Sequence, residues 1–149
     1  MFLGMKLTRL ENQITLSQMN YIDEMIEKFN LCEAKGRSTP GFDIKEILNW
    51  REDNKTIGPY RELVGSLQYC ANSTRPDISF PVNFLAKFNQ DPRERHWTAA
   101  RTILRYLKQT RDYGITYNGG ELTINVFRNS DFANDIEERQ SVSGGTQEG

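Results

Sequence analysis

Four carboxylates, Asp131, Asp135, Glu137 and Glu138, gather directly behind a strand-like run near the end of this 149-residue sequence. A carboxylate on a strand, joined by others from distant segments, can hold two divalent ions for phosphodiester hydrolysis. Only residues 136–149 follow Asp135. That is too short a stretch to add the rest of a sheet and its helices, so a solvated acidic tail is the expectation. A second set is cationic. At 100° per residue, Arg101, Arg105 and Lys108 fall on a helical stripe about 60° wide. Such a stripe can neutralise successive phosphates of a duplex, or it can be simply a solvated face. Other reactive types are sparse. His96 is the only histidine, and Cys32 and Cys70 offer neither zinc spacing nor a disulfide framework. No glycine-rich phosphate loop, GxSxG elbow or HExxH pair occurs. His96 is expected as a surface or partly buried packing residue, the two cysteines as small buried hydrophobes, and Tyr69 and Trp97 as core.

The elements that must position these groups follow from composition and periodicity. With 19 Lys+Arg against 20 Asp+Glu, the net charge of −1 excludes a uniformly basic nucleic-acid coat. Charge is nevertheless uneven: residues 87–111 carry seven cations against Asp91 and Glu94 alone, whereas the last twenty residues carry five acids against Arg139. No apolar run reaches the roughly 20 residues of a membrane span, and the amino terminus lacks a secretory leader pattern. A soluble, intracellular protein, cytoplasmic or nuclear, is expected. The first sixteen residues read as a hairpin about Glu11-Asn12, after which Ser17 is placed to cap a helix. Ile22, Met25, Ile26 and Phe29 form one helical stripe, and a short helix is expected around Ile44–Trp50. From Tyr60, the positions Leu63, Val64, Leu67 and Ala71 predict a second long helix, with Gly65 and Ser66 allowing close approach. A third segment, from Pro76 to Phe88, has Phe80, Phe84, Leu85 and Phe88 as its apolar positions, and Pro81 calls for a kink or a later start. The fourth, Arg93 to Thr110, buries Trp97, Ala100, Leu104 and Leu107. Period-two runs, Tyr113–Tyr117 and Leu122–Val126, flank Asn118-Gly119-Gly120, a hairpin signal.

Taken in order, the strings FLGMKL, ITLSQMNYIDEMIEKFNL, STPG, YRELVGSLQYCANSTRPDISF, HWTAARTILRYLKQTRDYGITY and NSDFANDIEERQSVSGG closely resemble the pol polyprotein of copia-type LTR retrotransposons. The resemblance runs over about residues 2–145, from the end of reverse transcriptase into ribonuclease H. It implies an end-of-palm, primer-grip-like hairpin at 1–16, a thumb/connection-like helical region at 17–112, and the start of a ribonuclease H-like domain at 113–149. It also implies that Phe2, Leu3 and Gly4 begin the hairpin gripping the primer, while Arg101, Arg105 and Lys108 rest on an RNA–DNA or DNA duplex backbone. The missing polymerase and ribonuclease H portions would be its other partners, and a membrane would not.

Two departures bear on catalysis. The family's YxDD motif is absent and no Asp-Asp pair exists in the chain, so the two-metal polymerase chemistry has no ligands here. Aligned back from Ser143-Gly144, the first ribonuclease H aspartate falls on Asn129 and the second on Asp131. An amide oxygen is a far poorer Mg²⁺ ligand than a carboxylate, and no metal or other cofactor is expected for this chain, although the intact family uses Mg²⁺. Pro81, where the family keeps a helix-compatible residue, and Thr146-Gln147-Glu148-Gly149, in place of the next strand, fit a relic of a decayed element. The expected architecture is α+β: an N-terminal β-hairpin, a helical middle holding the core, and a C-terminal hairpin from an incomplete ribonuclease H domain, both hairpins with open edges. The expected function is a pol fragment that is catalytically silent alone and binds nucleic acid weakly without sequence preference. The alternatives are a segment of a larger active polyprotein, or a domesticated protein-interaction module.

Overall fold

The computed structural model describes residues 5–49, 51, 53–56, 58–118 and 121–125. Strands β1 (Lys6–Leu10) and β2 (Gln13–Ser17) form the expected hairpin, and Glu11 at its tip takes φ 44° to reverse the chain. Helices α1 (Met19–Lys28), α2 (Ile44–Leu48), α3 (Tyr60–Ser73), α4 (Ser79–Ala86) and α5 (Glu94–Gln109) follow, with a 3₁₀ turn at Pro76–Ile78 leading into α4. Strands β3 (Gly114–Asn118) and β4 (Glu121–Asn125) close the described chain. The fold is a mixed one of helices and an antiparallel sheet.

The two hairpins do not stay apart. β2 pairs with β3, Leu16 opposite Ile115 and Ser17 opposite Gly114, so one four-stranded antiparallel sheet runs β1-β2-β3-β4. Among the described residues only the outer strands, β1 and β4, have an unpaired edge. The junction is tight, because a Cβ on Gly114 would overlap the carbonyl of Leu16. Across it the Thr15 and Thr116 hydroxyls lie 3.1 Å apart. Apolar Leu7, on the outer strand, is 60% exposed.

The core lies among the helices, as the periodicity predicts. Ile22, Met25, Ile26 and Phe29 of the first stripe are buried together with Leu63, Val64 and Leu67 of α3 and Ala100, Leu104 and Leu107 of α5. The Tyr60 hydroxyl reaches into this core and donates to the Leu85 carbonyl at 2.7 Å. Several local expectations are corrected. Ser17 ends β2 instead of capping α1, whose N-cap position is Gln18. Pro81 sits in the first turn of α4, where a missing N–H costs nothing, so the chain breaks earlier, at the 3₁₀ turn. Phe80 is 68% exposed, and Val82 and Leu85 are the buried positions of α4. Gly65 faces open space, and the close approach belongs to Gly58, which lies against the Trp97 ring. Cys32 is exposed, while Cys70 is buried and its thiol is pushed up to about 12 by desolvation.

Candidate nucleic-acid interface

The cationic flank of α5 meets the segment that leaves α1. After Phe29 the chain turns through Asn30, whose φ of 60° an asparagine side chain tolerates, and Leu31 returns to the core. The carbonyls that follow lie outside any helix, and of them Leu31 O accepts from the Ala34 N–H at 3.2 Å. Lys108 supplies them: its ammonium donates to Leu31 O at 3.0 Å, Cys32 O at 2.6 Å and Ala34 O at 2.7 Å. An ammonium has three protons, so all are spent. One turn earlier, Arg105 Nε donates to Lys35 O at 2.7 Å, and the Arg37 N–H donates to Arg105 O at 3.3 Å. Gly36 presses on Gln109 so closely that a Cβ would overlap that side chain. The stripe read from the sequence is real, yet two of its three members fasten residues 31–37 to α5. Arg101 differs: its buried Nε has no acceptor, and its guanidinium makes no ion pair among the described residues.

On another face of α5, Arg95 holds Asp53 through both carboxylate oxygens at 3.0 and 2.9 Å and donates to Glu46 O at 2.8 Å. These residues border a cavity of about 490 Å³ beside α2. Among the described residues no three His, Cys, Asp or Glu side chains group so as to hold a metal ion. Phe2, Leu3, Gly4, Asn129 and Asp131, the other residues singled out from the sequence, lie outside the described residues.

His96 is fully buried, which corrects the expectation of a surface or partly buried site. Its Nδ1 accepts from the Arg93 N–H at 2.9 Å, so the first turn of α5 is capped by its own side chain. The Phe88 ring stacks on it at 4.0 Å. Burial holds the imidazole below its ordinary pKa and keeps it neutral.

The densest polar cluster was not assigned a role from the sequence. Arg75 is 0% exposed, and its guanidinium forks onto Asp77, Nε to Oδ1 at 3.1 Å and Nη2 to Oδ2 at 2.8 Å. The same guanidinium donates to Thr110 O at 2.9 Å and to Thr110 Oγ1 at 2.7 Å, while the Tyr106 hydroxyl donates to Asp77 Oδ2 at 2.6 Å. Burial by itself would raise the Asp77 pKa, but the Arg75 charge and the hydrogen bonds from Arg75 and Tyr106 outweigh it and hold the carboxyl below its ordinary range. The neighbouring Thr74 hydroxyl lies 2.6 Å from Gln18 Oε1 and ties in the start of α1. The network therefore joins TRPD, behind α3, to RYLKQT, at the end of α5. The one signal in the sequence is a charged Arg-Pro-Asp triplet directly after an apolar helix.

Curated relatives cover most of the chain. It is 34% identical over 95% of its length to a retrovirus-related Pol polyprotein from transposon TNT 1-94 of Nicotiana tabacum. It is 36% identical over 96% to the corresponding polyprotein from transposon RE2 of Arabidopsis thaliana. A putative transposon Ty5-1 protein of Saccharomyces cerevisiae is 37% identical over 85%. The chain spans 11% and 10% of the two plant polyproteins and 42% of the yeast protein. No protein-family model and no solved structure matches it. No described helix is long and apolar enough to cross a membrane.

Proposed function

The chain belongs to the copia-type retrotransposon Pol family, and on that premise we propose that it is the stretch from the end of reverse transcriptase into ribonuclease H, silent as a catalyst alone and resting weakly on a duplex backbone. The observation that supports backbone contact is the α5 flank, where Arg101 and the outer nitrogens of Arg105 remain without carboxylate partners among the described residues. Contacts of that kind carry no sequence information and are released by salt. The silence rests on the residues present: 149 positions without an Asp-Asp pair, and a neutral Asn129 where the family places its first ribonuclease H carboxylate.

Fluorescence anisotropy with a labelled RNA–DNA hybrid tests the binding. Two or three neutralised phosphates predict an affinity loss of about 10- to 40-fold between 50 and 200 mM salt. Absence of binding at 50 mM refutes this part. Incubation of the same hybrid with Mg²⁺ is expected to leave it intact, and cleavage would refute the catalytic silence.

A further inference from the structure

Several cations of the described structure have carboxylates beside them: Lys28 meets Glu62, Arg75 meets Asp77, Arg93 meets Asp91, Arg95 meets Asp53 and Arg111 meets Asp23. Around one cavity of about 270 Å³, cations gather with no carboxylate among them. Lys35, Arg101 and Arg105 line it with Thr98 and Thr102, and no lining residue is acidic. Like charges held together repel unless an anion intervenes. Here the backbone of Lys35 is fastened to α5, because Arg105 Nε grips the Lys35 carbonyl and Lys108 pins the carbonyls of Leu31, Cys32 and Ala34. Thr102 donates its hydroxyl to Thr98 O at 3.0 Å and so serves as wall. The Thr98 side chain, exposed at the rim, offers a neutral donor.

We propose that Lys35, Arg101 and Arg105 form a seat for a single phosphate group. The seat changes the membership of the stripe: Lys35, 70 residues before Arg105 and outside the periodicity of α5, joins it, and Lys108 becomes a positioning residue that holds the Lys35 segment in place. Two guanidinium groups and an ammonium suit a tetrahedral oxyanion, since the arginines offer forked donors and the lysine a point charge. A backbone phosphodiester and a free phosphate share this chemistry. For the backbone source the proposal rests on the nucleic-acid reading above.

The test uses the 149-residue chain and two probes, orthophosphate by isothermal titration at low ionic strength and a labelled RNA–DNA hybrid by anisotropy. Lys35→Gln and Arg101→Gln are compared with wild type and with Lys45→Gln, an exposed charge on α2 that does not line the cavity. Circular dichroism checks that each variant is folded, and Lys35 is exposed enough for its variant to retain the fold. The expected result is several-fold weaker hybrid binding in both seat variants, each with a log–log salt slope shallower by about one, and none of this in Lys45→Gln. Orthophosphate binding lost in the seat variants, with no hybrid binding by wild type, supports the seat, assigns it to free phosphate and ends the nucleic-acid reading. Hybrid binding that the seat variants leave unchanged overturns the seat and spares that reading. If wild type binds neither probe, both fall.

Discussion

Asp77→Asn is the most informative single change in this chain, because it removes a charge and almost no volume. The guanidinium of Arg75 would stay at 0% exposure with its forked partner gone, and the Tyr106 hydroxyl would lose an ionic acceptor. Two opposite unit charges about 4 Å apart attract by roughly 4 kcal/mol at an effective dielectric of 20. Breaking a buried pair from one side costs about 3–5 kcal/mol, since the remaining charge is left in a poor solvent. A domain of this size has only about 5–15 kcal/mol in total, so the variant should lose roughly a fifth or more of its stability. Urea unfolding at pH 7, followed by circular dichroism, measures the loss. The double change Arg75→Met with Asp77→Leu removes both charges together and is expected to be less destabilised than Asp77→Asn alone, because apolar replacement of a buried pair is often neutral. The wild-type contribution is complete above the unfolded carboxylate pKa of about 4 and is lost as pH falls through the depressed pKa of folded Asp77. Asp77→Asn should lack that acid loss. A cost below about 1 kcal/mol, or an unchanged acid limb, would refute the view that this pair is buried and mutually dependent.

Three further outcomes follow from other sites. The folded His96 pKa is depressed by burial, so the unfolded chain takes up the proton first. Stability should therefore decline as pH drops below about 6.5 and keep declining to the folded pKa, and His96→Gln should flatten Tm between pH 5 and 7. Gly114→Ala would drive a Cβ into the β2 backbone and should cost about 1–3 kcal/mol, whereas Gly65→Ala, in open helical space, should gain about 0.5–1 kcal/mol; thermal melts of the two variants give opposite signs. Tyr60→Phe should cost about 1–2 kcal/mol in chemical denaturation, because the Leu85 carbonyl loses a 2.7 Å donor inside the core.

Within this chain, everything that depends on spacing along a single element was legible. Apolar residues three and four apart placed α1, α3 and α5 and named most of the core, because burying such a stripe is what makes a helix of ordinary composition stable. The turn chemistry of Glu11-Asn12 and the period-two runs placed four strands, and the ordered strings placed the family. The cationic stripe on α5 was legible for the same reason, as was the lack of paired aspartates.

Tertiary structure decided what depends on which distant segment lies opposite. No local pattern says that β2 pairs with β3, about a hundred residues away, so the hairpins read as separate until the sheet joined them. Lys108 reads as a surface cation until the carbonyls of Leu31, Cys32 and Ala34 arrive beside it, and Lys35 reads as unrelated until the same loop carries it to Arg101. Arg75 and His96 look like surface residues by type, and their burial is compensated by Thr110, brought to Arg75 from the end of α5, and by the Phe88 ring stacked on the imidazole. Periodicity reports which face of an element turns inward. It is the long-range contacts, whose closure entropy is paid by the whole chain, that determine what a charge on that face is for.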